Sequence, residues 1–107
     1  MSTSDSITEA ALRLFYRQGF HASGVEQLIQ VAGVTKKTLY RYFPSKEELV
    51  AAALRLRDAQ FMAKLRAALE PAADAQRPLA YIDFIAAWAH EPDFHGCAFI
   101  NAAAEYA

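Results

Sequence analysis

Apolar residues recur every three or four positions along most of this chain, and a few defined residues interrupt the recurrence. Ile7, Ala10, Ala11, Leu14 and Phe15 make one helical stripe, and Val25, Leu28, Ile29 and Ala32 make a second. Each stripe ends at a glycine followed by an apolar residue, Gly19-Phe20 and Gly33-Val34. That pair predicts a helix stop in left-handed backbone, with the apolar side chain folded back on the last turn. Three Ser-x-x-Glu sequences, Ser6 with Glu9, Ser23 with Glu26 and Ser45 with Glu48, read as helix starts in which serine and glutamate satisfy each other's backbone N–H groups. Asp5 competes with Ser6 for the first of these positions.

A third helix, about Lys36 to Tyr42, follows Thr35 as its cap and is cut short by Phe43-Pro44, because the residue before proline is pushed out of helical geometry. The fourth restarts at Ser45 and is carried to about Leu69 by Leu49, Ala52, Ala53, Leu56 and Ala63. Residues 71–78 read as a linker. Leu79, Ile82, Ile85, Trp88 and Ala89 outline a fifth helix ending near Pro92, and Cys97 to Tyr106 outline a sixth. No alternating strand pattern of any length occurs, so the expected class is all-α.

Composition narrows what such a protein does. In 107 residues, 54% are hydrophobic and the net charge is −1, enough for a core and too neutral for a generally basic nucleic-acid coat. Charge is instead local: four basic side chains and no acid lie between Val34 and Lys46, and local potential is what steers a polyanion. A single cysteine, Cys97, precludes an internal disulfide. Without a secretory leader pattern the chain reads as cytoplasmic, and no apolar run approaches the roughly 20 residues that span a bilayer.

Two short helices joined by a glycine turn, Ala32-Gly33-Val34-Thr35, with the second one basic, have the form of a helix-turn-helix. Leu39 and Phe43 lie four apart and face inward with Val34. Thr35, Lys36, Lys37, Thr38, Tyr40, Arg41 and Tyr42 are left toward a groove or its rim. Arginine and lysine suit guanine's acceptors or phosphate, threonine offers a hydroxyl and a methyl, and tyrosine can rest on sugar and donate to phosphate. Free N–H groups at the start of the fourth helix, beside Lys46, suit a phosphate.

These residues carry a resemblance. Phe15, Gly19, Phe20, the run SGVEQLIQVAGVTKKTLYRYFPSKEELV and the later FHGCAFINAAAEY resemble the tetracycline-repressor-like (TetR) family of bacterial transcription regulators. The resemblance implies a three-helix DNA-binding domain over residues 1–50, then a long linking helix and part of a helical effector-binding and dimerisation domain over residues 51–107. It also implies a homodimer on a palindromic operator of double-stranded DNA. Base-facing roles fall to Thr35, Lys36, Lys37 and Thr38, and backbone contacts to Tyr40, Tyr42, Thr38 and Lys46. Lys37 stands where many members have a small residue, and the Arg41-Tyr42 pair varies, so no relative's operator can be borrowed. Members are close to twice this length, which makes the chain read as truncated.

Beyond residue 50 the chemistry is thinner. Phe61, Leu65, Trp88 and Phe99 are the expected lining of an apolar pocket for an unknown small-molecule effector. His90, His95 and Cys97 offer metal-ligating atoms without a recognised spacing, so no metal is expected, and no cofactor is implied. No nucleophile, base and orienting group can be placed together, so the chain reads as no enzyme. The expectation is a ligand-responsive repressor, against the alternative of an interaction module that keeps the helix-turn-helix shape without binding DNA.

Overall fold

A computed structural model of the chain describes residues 2–106. It contains six α-helices and, among the described residues, no strand: α1 Thr3–Gln18, α2 Val25–Ala32, α3 Lys36–Tyr42, α4 Lys46–Leu69, α5 Arg77–Ala89 and α6 Ala98–Tyr106. The α1 start lies one turn earlier than the serine pattern suggests. Ser2 Oγ accepts from the Asp5 N–H at 3.1 Å while the Ser2 N–H donates to Asp5 Oδ2 at 3.3 Å, a reciprocal cap that leaves Ser6 inside the helix.

Ser23 does not cap α2 either. Its side chain is completely buried and its hydroxyl donates to the Gly19 carbonyl at 2.6 Å, so Gly24 holds the cap position without a side-chain hydrogen bond. Ser45 behaves as expected and takes the Glu48 N–H at 3.2 Å. The stretch 71–78 is less of a linker than its composition suggests. A 3₁₀ turn covers Asp74–Gln76, and α5 begins at Arg77 with Pro78 in its first turn, where a missing N–H costs nothing. The helix then ends at Ala89, ahead of Pro92.

The core belongs to one end of the molecule. Ile7, Leu14 and Phe15 from α1, Phe20 from the α1–α2 connection, Leu28 from α2, Leu39 from α3, Phe43 beyond it, and Leu49, Val50 and Ala53 from α4 form one buried cluster, joined by Ala102 of α6. Phe15 and Phe20 stack at 5.0 Å between ring centroids, the fold-back expected after Gly19. Gly19 itself has φ 101° and ψ 160°, an extended rather than αL backbone. Only glycine enters that region without strain.

α4 runs across the boundary expected at residue 50. Its first half packs on α1, and its second half carries α5 alongside. From residue 54 to residue 97 no side chain is buried, and Leu79, Tyr81 and Ile82 of α5 stand exposed. The radius of gyration, 16.0 Å, exceeds the value of about 13 Å for a compact chain of this size because α4 and α5 project from the core.

α6 returns to the core end. Glu105 accepts hydrogen bonds from the His21 N–H at 2.6 Å and the Phe20 N–H at 2.8 Å. Those donors, helped by the charges of His21 and Lys46, hold its carboxyl below the ordinary value of 4.5, against burial, which pushes it up.

Two outcomes follow from this packing. Phe15→Ala removes the ring at the centre of the cluster and should cost about 3–5 kcal/mol, read from denaturant midpoints; a loss under about 1 kcal/mol would contradict this placement. For Glu105, a folded-state pKa below the unfolded one means stabilisation present above pH 4.5 and lost as pH falls through the lower value. Glu105→Gln should therefore lessen the loss of stability on acidification, in melting temperatures measured across the acid range.

Candidate nucleic-acid interface

The turn before α3 is built by Gly33 in αL backbone, φ 67° and ψ 33°. Its N–H reaches the Gln30 carbonyl at 3.3 Å, and the Val34 N–H reaches Ile29 at 3.2 Å, closing the last turn of α2. A Cβ at Gly33 would meet nothing within 4 Å, so the glycine is required by backbone angle alone. Thr35 then caps α3: its hydroxyl accepts from the Thr38 N–H at 3.1 Å and lies 3.1 Å from the Thr38 hydroxyl. At the far end Phe43 is extended, φ −134°, ahead of Pro44.

Leu39 and Phe43 are buried in the cluster and orient the helix. Thr35, Lys36, Lys37, Tyr40, Arg41 and Tyr42 are exposed, while Thr38 and Lys46 are half-buried. Lys37 and Arg41 stand one turn apart, as do Lys36 and Tyr40. Seven residues give a rod of about 10 Å, which a major groove about 12 Å wide accommodates. Seven of the eight residues expected from the sequence thus lie on α3 or at its Thr35 cap, Lys46 opens α4, and none of the eight enters the core.

Some of them have neighbours that sequence reasoning missed. Lys36 Nζ lies 3.6 Å from Glu26 on α2, an exposed pair that holds weakly in water. Arg41 sits over the Tyr42 ring at 5.2 Å, so this guanidinium and phenol present a shared surface. At the start of α4 the Glu47 and Glu48 side chains share the first turn with Lys46 and complement the helix dipole, which weakens the anion seat expected there. Tyr16 and Glu105, to which the sequence assigned no contacts, tie α6 to this unit.

The four expected effector residues do not converge. Phe61 and Trp88 meet at 5.4 Å in a crevice of about 80 Å³ that also takes in Arg57, Lys64 and Phe84. Phe99 lines a separate apolar groove of about 370 Å³ with Val50, Leu54, Ala102 and Tyr106. Leu65 lines neither. Helical spacing put all four on apolar faces, but α4 presents Phe61 to α5 while α6 packs nearer the other end of α4. A groove of about 440 Å³ between the α1 start and α4 contains none of them.

Among the described residues no three His, Cys, Asp or Glu side chains gather as metal ligands, and no helix is long and apolar enough to cross a membrane. His90 Nδ1 lies 2.7 Å from the Ala86 carbonyl and His95 Nδ1 lies 2.6 Å from that of Asp93. Both rings are thus engaged locally.

Residues 7–53 match the family described as bacterial regulatory proteins, tetR family. The chain is 50% identical over 50 residues to the HTH-type transcriptional regulator RutR of Escherichia coli strain K12, covering 47% of this chain and 24% of that protein. It is 36% identical over 81 residues to the HTH-type transcriptional activator FasR of Mycolicibacterium smegmatis, covering 71% and 37%. A TetR-family transcriptional regulator of Streptomyces coelicolor has a crystal structure similar to this one, with a TM-score of 0.90 at 35% identity, over 97% of this chain and 56% of that one. The chain therefore spans 24% and 37% of the length of the two curated relatives.

Gly33→Ala should destabilise the protein by about 1–2 kcal/mol through the αL penalty alone. Because no clash accompanies it, Gly33→Asn should recover part of that loss, and equal melting temperatures for the three proteins would refute the backbone explanation.

Proposed function

Because this chain belongs to the tetR family of bacterial regulatory proteins, we propose that it binds double-stranded operator DNA through α3 and regulates transcription in the cytoplasm. The observation that carries the reading is the acid-free, exposed surface of α3, with Thr35, Lys36, Lys37, Tyr40, Arg41 and Tyr42 outward while Leu39 and Phe43 anchor the helix from behind. Thr35, Lys36, Lys37 and Thr38, at the helix start, face the base edges. Tyr40, Arg41, Tyr42 and Lys46 contact the phosphate backbone.

Residues 1–50 form the reading domain and residues 51–107 part of an effector and dimerisation domain. A homodimer would set two α3 helices into half-sites one turn of DNA apart. The effector enters beside Phe61, Phe84 and Trp88, where the Trp88 Nε1 donor is buried with no hydrogen-bond partner among the described residues and so favours a guest that brings an acceptor. Wedging there moves α4 against α5, and α4 carries that displacement to Ser45, next to α3. The expected sense is repression, relieved when the effector binds the conformation that fits DNA poorly. No catalytic role belongs to this proposal.

Salt titration separates DNA binding from a protein-interaction role. With a duplex selected from a random pool, log affinity should fall linearly with log salt, each phosphate contact adding about 0.9 to the slope. Lys46→Ala should lower the slope by about 0.9 on every duplex, whereas Lys37→Ala should change the ranking of duplexes by about 1–3 kcal/mol at the base it reads. Failure of any duplex to associate with the protein would end the proposal.

A further inference from the structure

α6 is fastened to the end of α1 at two points. The Tyr16 hydroxyl on α1 donates to the Gly96 carbonyl at 2.7 Å and accepts from the His95 N–H at 2.9 Å, which pins the segment entering α6. Near the other end of α6, Glu105 receives the consecutive N–H groups of Phe20 and His21. The His21 imidazole lies 3.6 Å from the same carboxylate, and the Tyr106 ring meets the edges of His21 and Phe20 at 4.6 and 6.2 Å.

The geometry of Gly19 makes the second fastening possible. Its positive φ turns the two following N–H groups toward one acceptor, and a Cβ there would stand 3.4 Å from Glu105 Oε2. What the carboxylate grips is therefore the backbone of the α1–α2 connection, whose Phe20 side chain is stacked in the middle of the core. That connection sets where α2 begins, and α2 with the Gly33 turn sets where α3 points. A shift of α6 thus has a path to α3 that does not run along α4.

We infer that Glu105 is a positioning residue for the DNA-reading unit, coupling α6 to the orientation of α3 through the backbone N–H groups of Phe20 and His21. The inference rests on the DNA-binding reading above and adds to it the means by which the second half of the chain governs the first. An acceptor of two charge-assisted hydrogen bonds is well suited to this, since such bonds are short, directional and lost together when the carboxylate moves.

The test uses the full chain, a duplex that the unaltered protein selects from a random pool, and an unrelated duplex of equal length. Glu105→Ala should weaken the selected duplex about tenfold, within the usual range of coupling between sites, leave the unrelated duplex within about twofold, and keep the salt slope, because no phosphate contact is removed. Glu105→Gln, which keeps one carbonyl acceptor, should recover part of the loss. Amide exchange at Phe20 and His21 should accelerate in Glu105→Ala while α3 stays protected.

Parallel loss on both duplexes, or unchanged affinity for both, overturns the inference. If Glu105→Ala does not fold, Glu105→Gln decides on the same two duplexes, with selective loss supporting the inference and no loss refuting it. If the unaltered protein selects no duplex, the DNA-binding reading fails instead. Amide exchange then still decides whether Glu105 holds the connection: unchanged rates at Phe20 and His21 overturn that as well.

Discussion

A seven-residue helix has no stability of its own in water, because nucleation costs more than so few hydrogen bonds return. α3 exists because Leu39 and, just beyond its end, Phe43 are buried against Leu28 and Leu49. Everything the outward face of α3 offers depends on that inward pair. With those two side chains seated, Lys36, Lys37, Tyr40, Arg41 and Tyr42 remain exposed. The Thr35 cap and the Gly33 turn determine where the helix starts, and Pro44 where it stops.

The same burial divides the molecule. Residues up to Ala53 of α4, joined by Ala98 and Ala102, contain all the buried apolar side chains among the described residues. α5 rests on α4 through partly covered aromatics, with Phe61, Phe84, Trp88 and Phe94 edge to face at 5.0 to 5.4 Å. Edge-to-face rings add about 0.5–1.5 kcal/mol each beyond the area they bury, less than a filled core supplies. One end is accordingly well packed and presents α3 outward, while the other has no fully buried side chain among the described residues, and α4 joins them. Hydrogen bonds through Tyr16 and Glu105 fasten α6 and the segment entering it to the packed end.

The helices themselves were legible in the chain. Period-3.6 stripes, the glycine stops and Phe43-Pro44 gave the order of six helices and the limits of α3, and Ser45 and Thr35 act as the caps their types suggest. The candidate interface was legible for the same reason, since residues within one short helix are placed by its pitch. Two serine motifs misled. Ser6 lost its place to the Ser2 and Asp5 pair one turn earlier, and Ser23 turned its hydroxyl back to Gly19 inside the core. A motif records what a residue can do locally, and burial decided what it did.

Interactions that close within about one helical turn, where burial does not compete for the side chain, were therefore determined by the sequence alone: the stripes, the Thr35 and Ser45 caps, the αL turn at Gly33 and the outward basic run. Contacts between distant segments were decided only by tertiary structure. Phe61 and Trp88 meet while Phe99 goes elsewhere, because which helix covers which depends on how α4, α5 and α6 pack. Glu105 finds its donors 84 and 85 residues away, and those donors are backbone N–H groups, which every residue but proline possesses. No side-chain pattern could encode that partner, since its identity lies in the direction of the backbone after Gly19 and not in the residues themselves.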